Sequence, residues 1–288
     1  MLRPTRDEIP DDQKSDGLIR KTFVSNGREL EAFGFRTGSG PVEYLALKFP
    51  GTSGRAERTR RFPIDLMAPH GSMAPHGSMA PHGSTASRRR HAAALWTLNP
   101  PGYGRSEGDA TIAGVGDASV AMAEHFLGRL AGDHHQPTII LIGNSLGCCA
   151  AVHVAATLVE RSIVASECIG LILRNPPPLD LVVLHRAASY PIGRWVRRAM
   201  APVASALPPS MNITNRIASV RSPVLLIQSG MDRLVPPMLQ DRVIQSHAGE
   251  HRKITLAGLD HADAPDASQQ WRIDEGVRWL ISRMQAAI

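Results

Sequence analysis

The stretch that decides the fold is Pro137-Thr138-Ile139-Ile140-Leu141-Ile142-Gly143-Asn144-Ser145-Leu146-Gly147, which runs on into Cys148-Cys149-Ala150-Ala151-Val152-His153-Val154. Residues 137–143 form a short apolar run, rich in isoleucine and ended by glycine, which reads as a strand buried on both faces. From Leu146 to Arg161 the length and spacing are those of a helix. A serine held between the two must turn sharply, and Gly143 and Gly147 leave room for that turn against neighbouring backbone. Its hydroxyl then stands exposed above the sheet. The plainer reading of the same residues is a glycine-rich turn that lets strand and helix pack closely.

Outward from this point, short β-type runs alternate with longer helical ones, the pattern of a mostly parallel sheet with helices on both faces. The expected strands are residues 21–25, 31–36, 42–49, 93–99, 137–143, 168–174, 223–229 and 253–258. The first two flank Asn26-Gly27 and read as an antiparallel hairpin at a sheet edge. Helices are expected over 111–130, 146–161, 237–246 and 268–284; in the last, Trp271, Val277, Trp279, Leu280, Ile281 and Met284 supply an apolar face. Residues 175–220 interrupt the alternation with Pro176-Pro177-Pro178 and a Tyr190-to-Met200 segment, and read as a small cap over the carboxyl edge of the sheet. There Tyr190, Pro191, Ile192, Trp195, Val196 and Met200 are candidates for lining an acyl pocket. An ordinary amphipathic lid helix is the favoured reading of the same residues.

Met-Ala-Pro-His-Gly-Ser occurs three times without a mismatch between Met67 and Ser84. A six-residue period with proline and glycine in every unit supports neither helix nor ladder, so a mobile surface loop is expected. Its His70, His76 and His82 invite a metal reading. A tandem duplication in a tolerant loop is favoured over it, because no fixed geometry brings the three rings together.

At the serine turn the chain resembles the α/β-hydrolase superfamily, and the resemblance extends from about Lys21 to Met284. Phe49-Pro50-Gly51-Thr52-Ser53-Gly54 follows the third strand, where such enzymes carry an oxyanion loop, although the frequent His-Gly start is here Pro50-Gly51. Asn99-Pro100-Pro101-Gly102-Tyr103-Gly104-Arg105-Ser106 looks like the P-G-x-G-x-S turn common in the superfamily. A serine hydroxyl needs a base, and the base an orienting acid, which the superfamily supplies in the order Ser, Asp or Glu, His. Asp232 follows the seventh strand and His261 the eighth, so Ser145, Asp232 and His261 are the expected nucleophile, acid and base. Asp180 is the alternative acid, whereas Asp260 and Asp263 flank His261 too closely to orient it. The amides of Leu146 and Thr52 are the expected oxyanion donors. The branch that this resembles is the monoglyceride-lipase and serine-aminopeptidase-like one, which implies an ester, thioester or small amide substrate, with no metal and no organic cofactor.

Composition bounds this reading without deciding it. With 288 residues and 43% apolar content the chain can bury a sizeable core, and a single α/β domain is expected over 1–288. Lys and Arg outnumber Asp and Glu by 32 to 26. Arginines gather at residues 55–61, 88–90 and 194–198, but no stacking pattern or known nucleic-acid module accompanies them, so no nucleic-acid partner is expected. A weak contact of Arg194, Arg197 and Arg198 with lipid headgroups is left open. Three cysteines suit a reducing compartment. No secretory segment or uninterrupted apolar run of spanning length is seen, so a cytoplasmic location is expected. Two rival functions remain: a non-catalytic binding protein on this fold, and a perhydrolase or C–C hydrolase using the same three residues.

Overall fold

The computed structural model describes residues 2–67, 92–130, 136–190 and 192–287. The histidine repeat lies outside these residues except for Met67, as do Arg88, Arg89, Arg90 and Pro191, so the loop and metal readings of the repeat are not addressed by the structure.

One sheet of eight strands organises the described residues: β1 (Ile19–Ser25), β2 (Arg28–Thr37), β3 (Val42–Phe49), β4 (Ala92–Asn99), β5 (Thr138–Asn144), β6 (Ile169–Arg174), β7 (Val224–Ser229) and β8 (His251–Leu256). Their spatial order is β1-β2-β4-β3-β5-β6-β7-β8. The β1–β2 pair is antiparallel and closes through Asn26 and Gly27, both at positive φ, as the Asn-Gly hairpin signal predicts. β2 also pairs antiparallel with β4, and every pairing from β4 through β3 to β8 is parallel. All eight expected strands are present, each shifted by no more than three residues at either end.

The interior strands are buried on both faces, which is why they read as unbroken apolar runs. Every residue of β4 and β7 is buried. On one face α2 (Ile112–Leu130) and α3 (Leu146–Glu160) cover a core that includes Leu45, Leu47, Phe49, Ile139, Leu141, Leu171 and Leu173. On the other, α1 (Ile64–Met67) and α8 (Ala267–Ala287) close over Ala46, Ile140, Ile142, Ile172, Leu225 and Ile254. The period-2 alternation of each strand thus sorts its side chains between two cores.

Residues 175–220 form the helical interruption expected of them, with α4 (Leu179–Ala188), α5 (Gly193–Ser205) and α6 (Ile213–Ile217). The side chain of Asn212 caps α6 by accepting from Asn215 N. α5 packs along α4 as a hairpin. Tyr190, Ile192 and Trp195, at and just before its start, are 62%, 64% and 60% exposed. Val196 and Met200 are only partly buried. α7 (Pro237–Gln245) links β7 to β8. Among the described residues no helix is long and apolar enough to cross a membrane.

Candidate active site

Ser145 occupies the turn between β5 and α3 with φ 53° and ψ −123°. A non-glycine residue in that region is strained and persists only where its surroundings fix it. Two contacts fix it here: Ser145 N donates to Arg174 O at 2.9 Å, and Ser145 O accepts from Cys148 N at 2.8 Å. Gly147 is required by close approach, since a Cβ there would lie 2.0 Å from Phe49 O. The start of α3 therefore sits against the end of β3, and the loop after β3 is brought to the serine. A Cβ on Gly51 would meet Ser145 Cβ at 3.3 Å.

Asp232 and His261 arrive from the ends of adjacent strands β7 and β8. Asp232 is 3% exposed, and its two oxygens accept from four donors. Oδ1 receives Leu234 N at 2.9 Å and Val235 N at 2.7 Å, while Oδ2 receives Gln240 Nε2 at 3.1 Å. The fourth contact joins Oδ2 to His261 Nδ1 at 2.7 Å, and His261 Nε2 lies 2.9 Å from Ser145 Oγ. A carboxylate whose lone pairs already meet N–H donors requires Nδ1 to carry the proton, which leaves Nε2 as the acceptor for the serine hydroxyl. The three residues expected from the sequence are thus brought into one hydrogen-bonded line.

The competing acids do other work. Asp260 Oδ1 accepts from the backbone N–H groups of Arg233 and His261, which hold its carboxyl below the usual range. Asp263 Oδ2 accepts from Asp260 N, so the pair shapes the loop that carries His261. Asp180 begins α4 and is close enough to Cys149 for its charge to be felt by that thiol. Cys148 and Cys149 are buried behind the serine as free thiols, and burial pushes both up.

Leu146 opens α3, where the first N–H groups of a helix have no intrahelical acceptor. In the loop after β3, Gly51 O accepts from Gly54 N at 3.0 Å. The C=O and N–H of one trans peptide point in opposite directions, so the Thr52 N–H points away from that turn. Thr52 O is held by Arg3 N at 2.9 Å and by the Tyr103 hydroxyl at 2.6 Å. Tyr103, from the Pro-Gly-Tyr-Gly turn, thereby anchors the loop that carries Thr52. An opening of about 350 Å³ beside His261 is rimmed by Arg186 of α4, Arg233, Leu234 and Asp263.

Two residues of the site were missed by sequence reasoning. Gln240, wholly buried in α7, donates to both Asp232 Oδ2 and Val235 O. A lone glutamine inside an amphipathic helix carries no signal of its own. Tyr103 sits inside a recognised turn, but the reach of its hydroxyl to Thr52, 51 positions away, depends on the packed fold.

Comparison with known proteins agrees with this architecture. The chain is 31% identical over 162 residues to an uncharacterised protein of Mycobacterium tuberculosis, a match that covers 56% of this chain and 50% of that one. It therefore spans about half the length of the curated relatives it matches. Among solved structures it resembles Est1E from Butyrivibrio proteoclasticus with ferulic acid bound, at 16% identity and a TM-score of 0.60, covering 92% of this chain and 99% of that one. It also resembles an acylaminoacyl peptidase in complex with a chloromethyl ketone, at 18% identity and a TM-score of 0.60, covering 91% of this chain but 40% of that one. At these identities the likeness is one of fold. The model of the alpha/beta hydrolase family matches residues 66–269, well over half of the chain, and the chain belongs to that family.

Proposed function

We propose that the chain is a serine hydrolase that cleaves a carboxylic ester, thioester or small amide through an acyl-enzyme on Ser145. The observation that carries this reading is the unbroken line Asp232 Oδ2, His261 Nδ1, His261 Nε2, Ser145 Oγ, with separations of 2.7 Å and 2.9 Å at its two hydrogen bonds. In the reaction His261 Nε2 takes the hydroxyl proton as Ser145 Oγ attacks the acyl carbon, and Asp232 stabilises the imidazolium that forms. The developing oxyanion is received by the N–H groups of Leu146 and Thr52, each such donor contributing on the order of 3 kcal/mol. His261 then gives the proton to the leaving group, and water repeats the path. No step calls on a metal or an organic cofactor. The chain acts as one domain with residues 175–220 as its cap. The esterase and peptidase names of its structural neighbours keep ester and amide chemistry both in view without choosing between them.

The test is labelling of the purified protein with a fluorophosphonate probe beside Ser145→Ala, with the adduct mapped by peptide mass spectrometry. Modification of Ser145 and silence of the variant are expected. A well-folded protein that stays unlabelled would move the non-catalytic binding reading ahead. If labelling succeeds, a substrate panel separates ester hydrolysis from perhydrolysis or C–C cleavage on the same residues.

A further inference from the structure

A second polar cluster borders the serine, on the sheet face opposite α3. Lys48 interrupts the last turn of the β3 pattern: Leu47 and Phe49 enter the core under α3, while Lys48 shares the other face with Ala46. Its register partners are Thr97 on β4 and Ile142 on β5. By the same alternation Asn144 follows Ile142, and Arg174, its partner on β6, follows Ile172. Lys48, Asn144 and Arg174 therefore rise on one face at the carboxyl ends of three adjacent parallel strands.

Among the described residues no ion pair compensates this cluster. Burial and the charges of Arg174 and Arg60 lower the Lys48 ammonium to about 8, and among the described residues its Nζ has no hydrogen-bond or ion-pair partner. Arg174 donates Nη2 to the backbone oxygen of Asp263, and its Nε is buried without a partner. Arg60 donates to Ser15 Oγ at 2.9 Å. Asp263 is the acid whose charge reaches Arg174, but its carboxylate does not form an ion pair with Arg174, and Oδ2 is occupied by Asp260 N. Desolvating a cation without a counter-charge is unfavourable, and setting the half-buried Lys48 and Arg174 near one another concentrates that cost, while Arg60 stays exposed. An anion that enters among them relieves it.

The cluster also borders the reacting atoms. Arg174 O holds Ser145 N at 2.9 Å, Asn144 precedes the serine, and a Cβ on Gly51 of the oxyanion loop would lie 3.9 Å from Asn144 Nδ2. β3 and β6 are separated only by β5, and Arg174 stands two residues further along its strand than Lys48, so the two stems stand roughly 12 Å apart, a gap that two long side chains and a carboxylate or phosphate group span. We propose that Lys48 and Arg174, with Arg60 at the rim, bind an anionic group of the substrate, so that the acyl compound cleaved at Ser145 carries a free carboxylate or phosphate. This rests on the reading of Ser145 as nucleophile and narrows its substrate class.

The experiment compares two esters of similar length, 4-nitrophenyl hydrogen glutarate and 4-nitrophenyl valerate, with the full chain and with Lys48→Met. The wild type is expected to favour the acidic ester at least tenfold in kcat/KM, and Lys48→Met to lower that ratio at least tenfold. In parallel, free glutarate and inorganic phosphate are tested for protection of Ser145 from the fluorophosphonate. Protection by glutarate identifies a carboxylate subsite and protection by phosphate a phosphate one; either is expected to disappear in Lys48→Met. Labelling of Ser145 with no acidic preference and no protection would overturn the anion subsite and leave the serine hydrolase standing. If Ser145 is not labelled and neither ester is turned over, the hydrolase reading falls first and the subsite with it.

Discussion

The carboxyl edge of the sheet holds two clusters of charged side chains built on opposite terms: Glu31, Arg55 and Glu57 are buried, whereas Lys48 and Arg174 are half-buried and Arg60 is exposed. In the first, Glu31 of β2 and Glu57 converge on Asn99 at the end of β4. Asn99 Nδ2 donates to Glu31 Oε1 at 2.7 Å and to Glu57 Oε2 at 2.9 Å, and its Oδ1 accepts from Ala56 N. Arg20 pairs with Glu31 at 2.8 Å, and Arg55 is bidentate to Glu57 while its remaining nitrogen meets the backbone oxygens of Thr5 and Asp7. Two acids face two arginines. Gly104 fits only because it is glycine: at φ +55° a Cβ would lie 2.3 Å from Glu31 Oε1. In the second cluster Lys48, Arg60 and Arg174 face one another with no ion pair among the described residues. Burial of charge alone therefore does not mark a binding site; the subsite proposed beside Ser145 rests on missing ion pairs as well. The satisfied network ties the segment before β1, the residues after the loop at 50–54 and the Pro-Gly-Tyr-Gly turn into one frame.

The largest effect should come from breaking the satisfied cluster. Burial raises the Glu57 carboxyl, but hydrogen bonds from Arg55 and Asn99 outweigh it and hold the group below its ordinary value. Arg55→Met leaves that carboxylate buried with one main partner gone, at a cost of about 3–5 kcal/mol, read as a fall in the urea midpoint at pH 7. Adding Glu57→Leu should return much of the loss, because the orphaned charge is then removed as well. A double variant no more stable than the single would show that the arginine acts through packing alone.

Removing the charge of the uncompensated cluster should do the reverse. Lys48 is lowered from 10.5 to about 8, so at pH 7 its protonated form opposes folding by about 3 kcal/mol, and Lys48→Met should raise stability by an amount of that order. The pH dependence fixes the sign. Between pH 8 and 10.5 the unfolded chain binds more protons than the folded one, so the wild type gains stability as pH rises and the advantage of the variant shrinks through that window. Denaturant unfolding at pH 7 and at pH 10 reads both. An equal or lower stability of the variant at pH 7 would mean that the ammonium is solvated, and the contrast between the two clusters would lose its energetic basis.

How much of this was legible depends on how local each signal is. The β5–Ser145–α3 turn, Asp232 after β7 and His261 after β8 each lie within a few residues of an apolar run, so short windows of sequence carry them. The order of the strands added the rest, because β7 and β8 are neighbours and share an edge with β5. The Glu31–Asn99–Glu57–Arg55 network was not legible: Glu31 and Asn99 are 68 positions apart and meet only through the antiparallel β2–β4 register. Lys48 was hidden for a different reason. Within Val42 to Phe49 a single lysine looks like the end of a buried strand, and only the placement of Arg174 on β6 shows that it faces other cations. In the cap, Tyr190, Ile192 and Trp195 are apolar by type, and composition does not tell that all three are exposed.

His247 sharpens the comparison because it is more deeply buried than Lys48 yet can discard its charge within the range of ordinary buffers. Its Nε2–H donates to Ser222 O at 3.1 Å, and its Nδ1 is buried without a partner. Burial, opposed by the Ser222 contact and aided by His251, lowers it from 6.5 to about 4. A neutral ring is therefore stable in place, and no counter-charge is called for at neutral pH. Between pH 6.5 and 4 the unfolded chain binds the proton that the folded chain refuses, so stability falls as pH falls through that window, by about 2 kcal/mol at pH 5 relative to pH 8. His247→Gln keeps a donor for Ser222 O and removes the titration. Its stability should lie below that of the wild type at pH 8 by less than the loss of one hydrogen bond, about 1 kcal/mol, and the gap should close or reverse at pH 5. Parallel acid slopes for the two proteins would show that His247 takes up its proton without unfolding, and that a buried cation is tolerated at this position without a counter-charge.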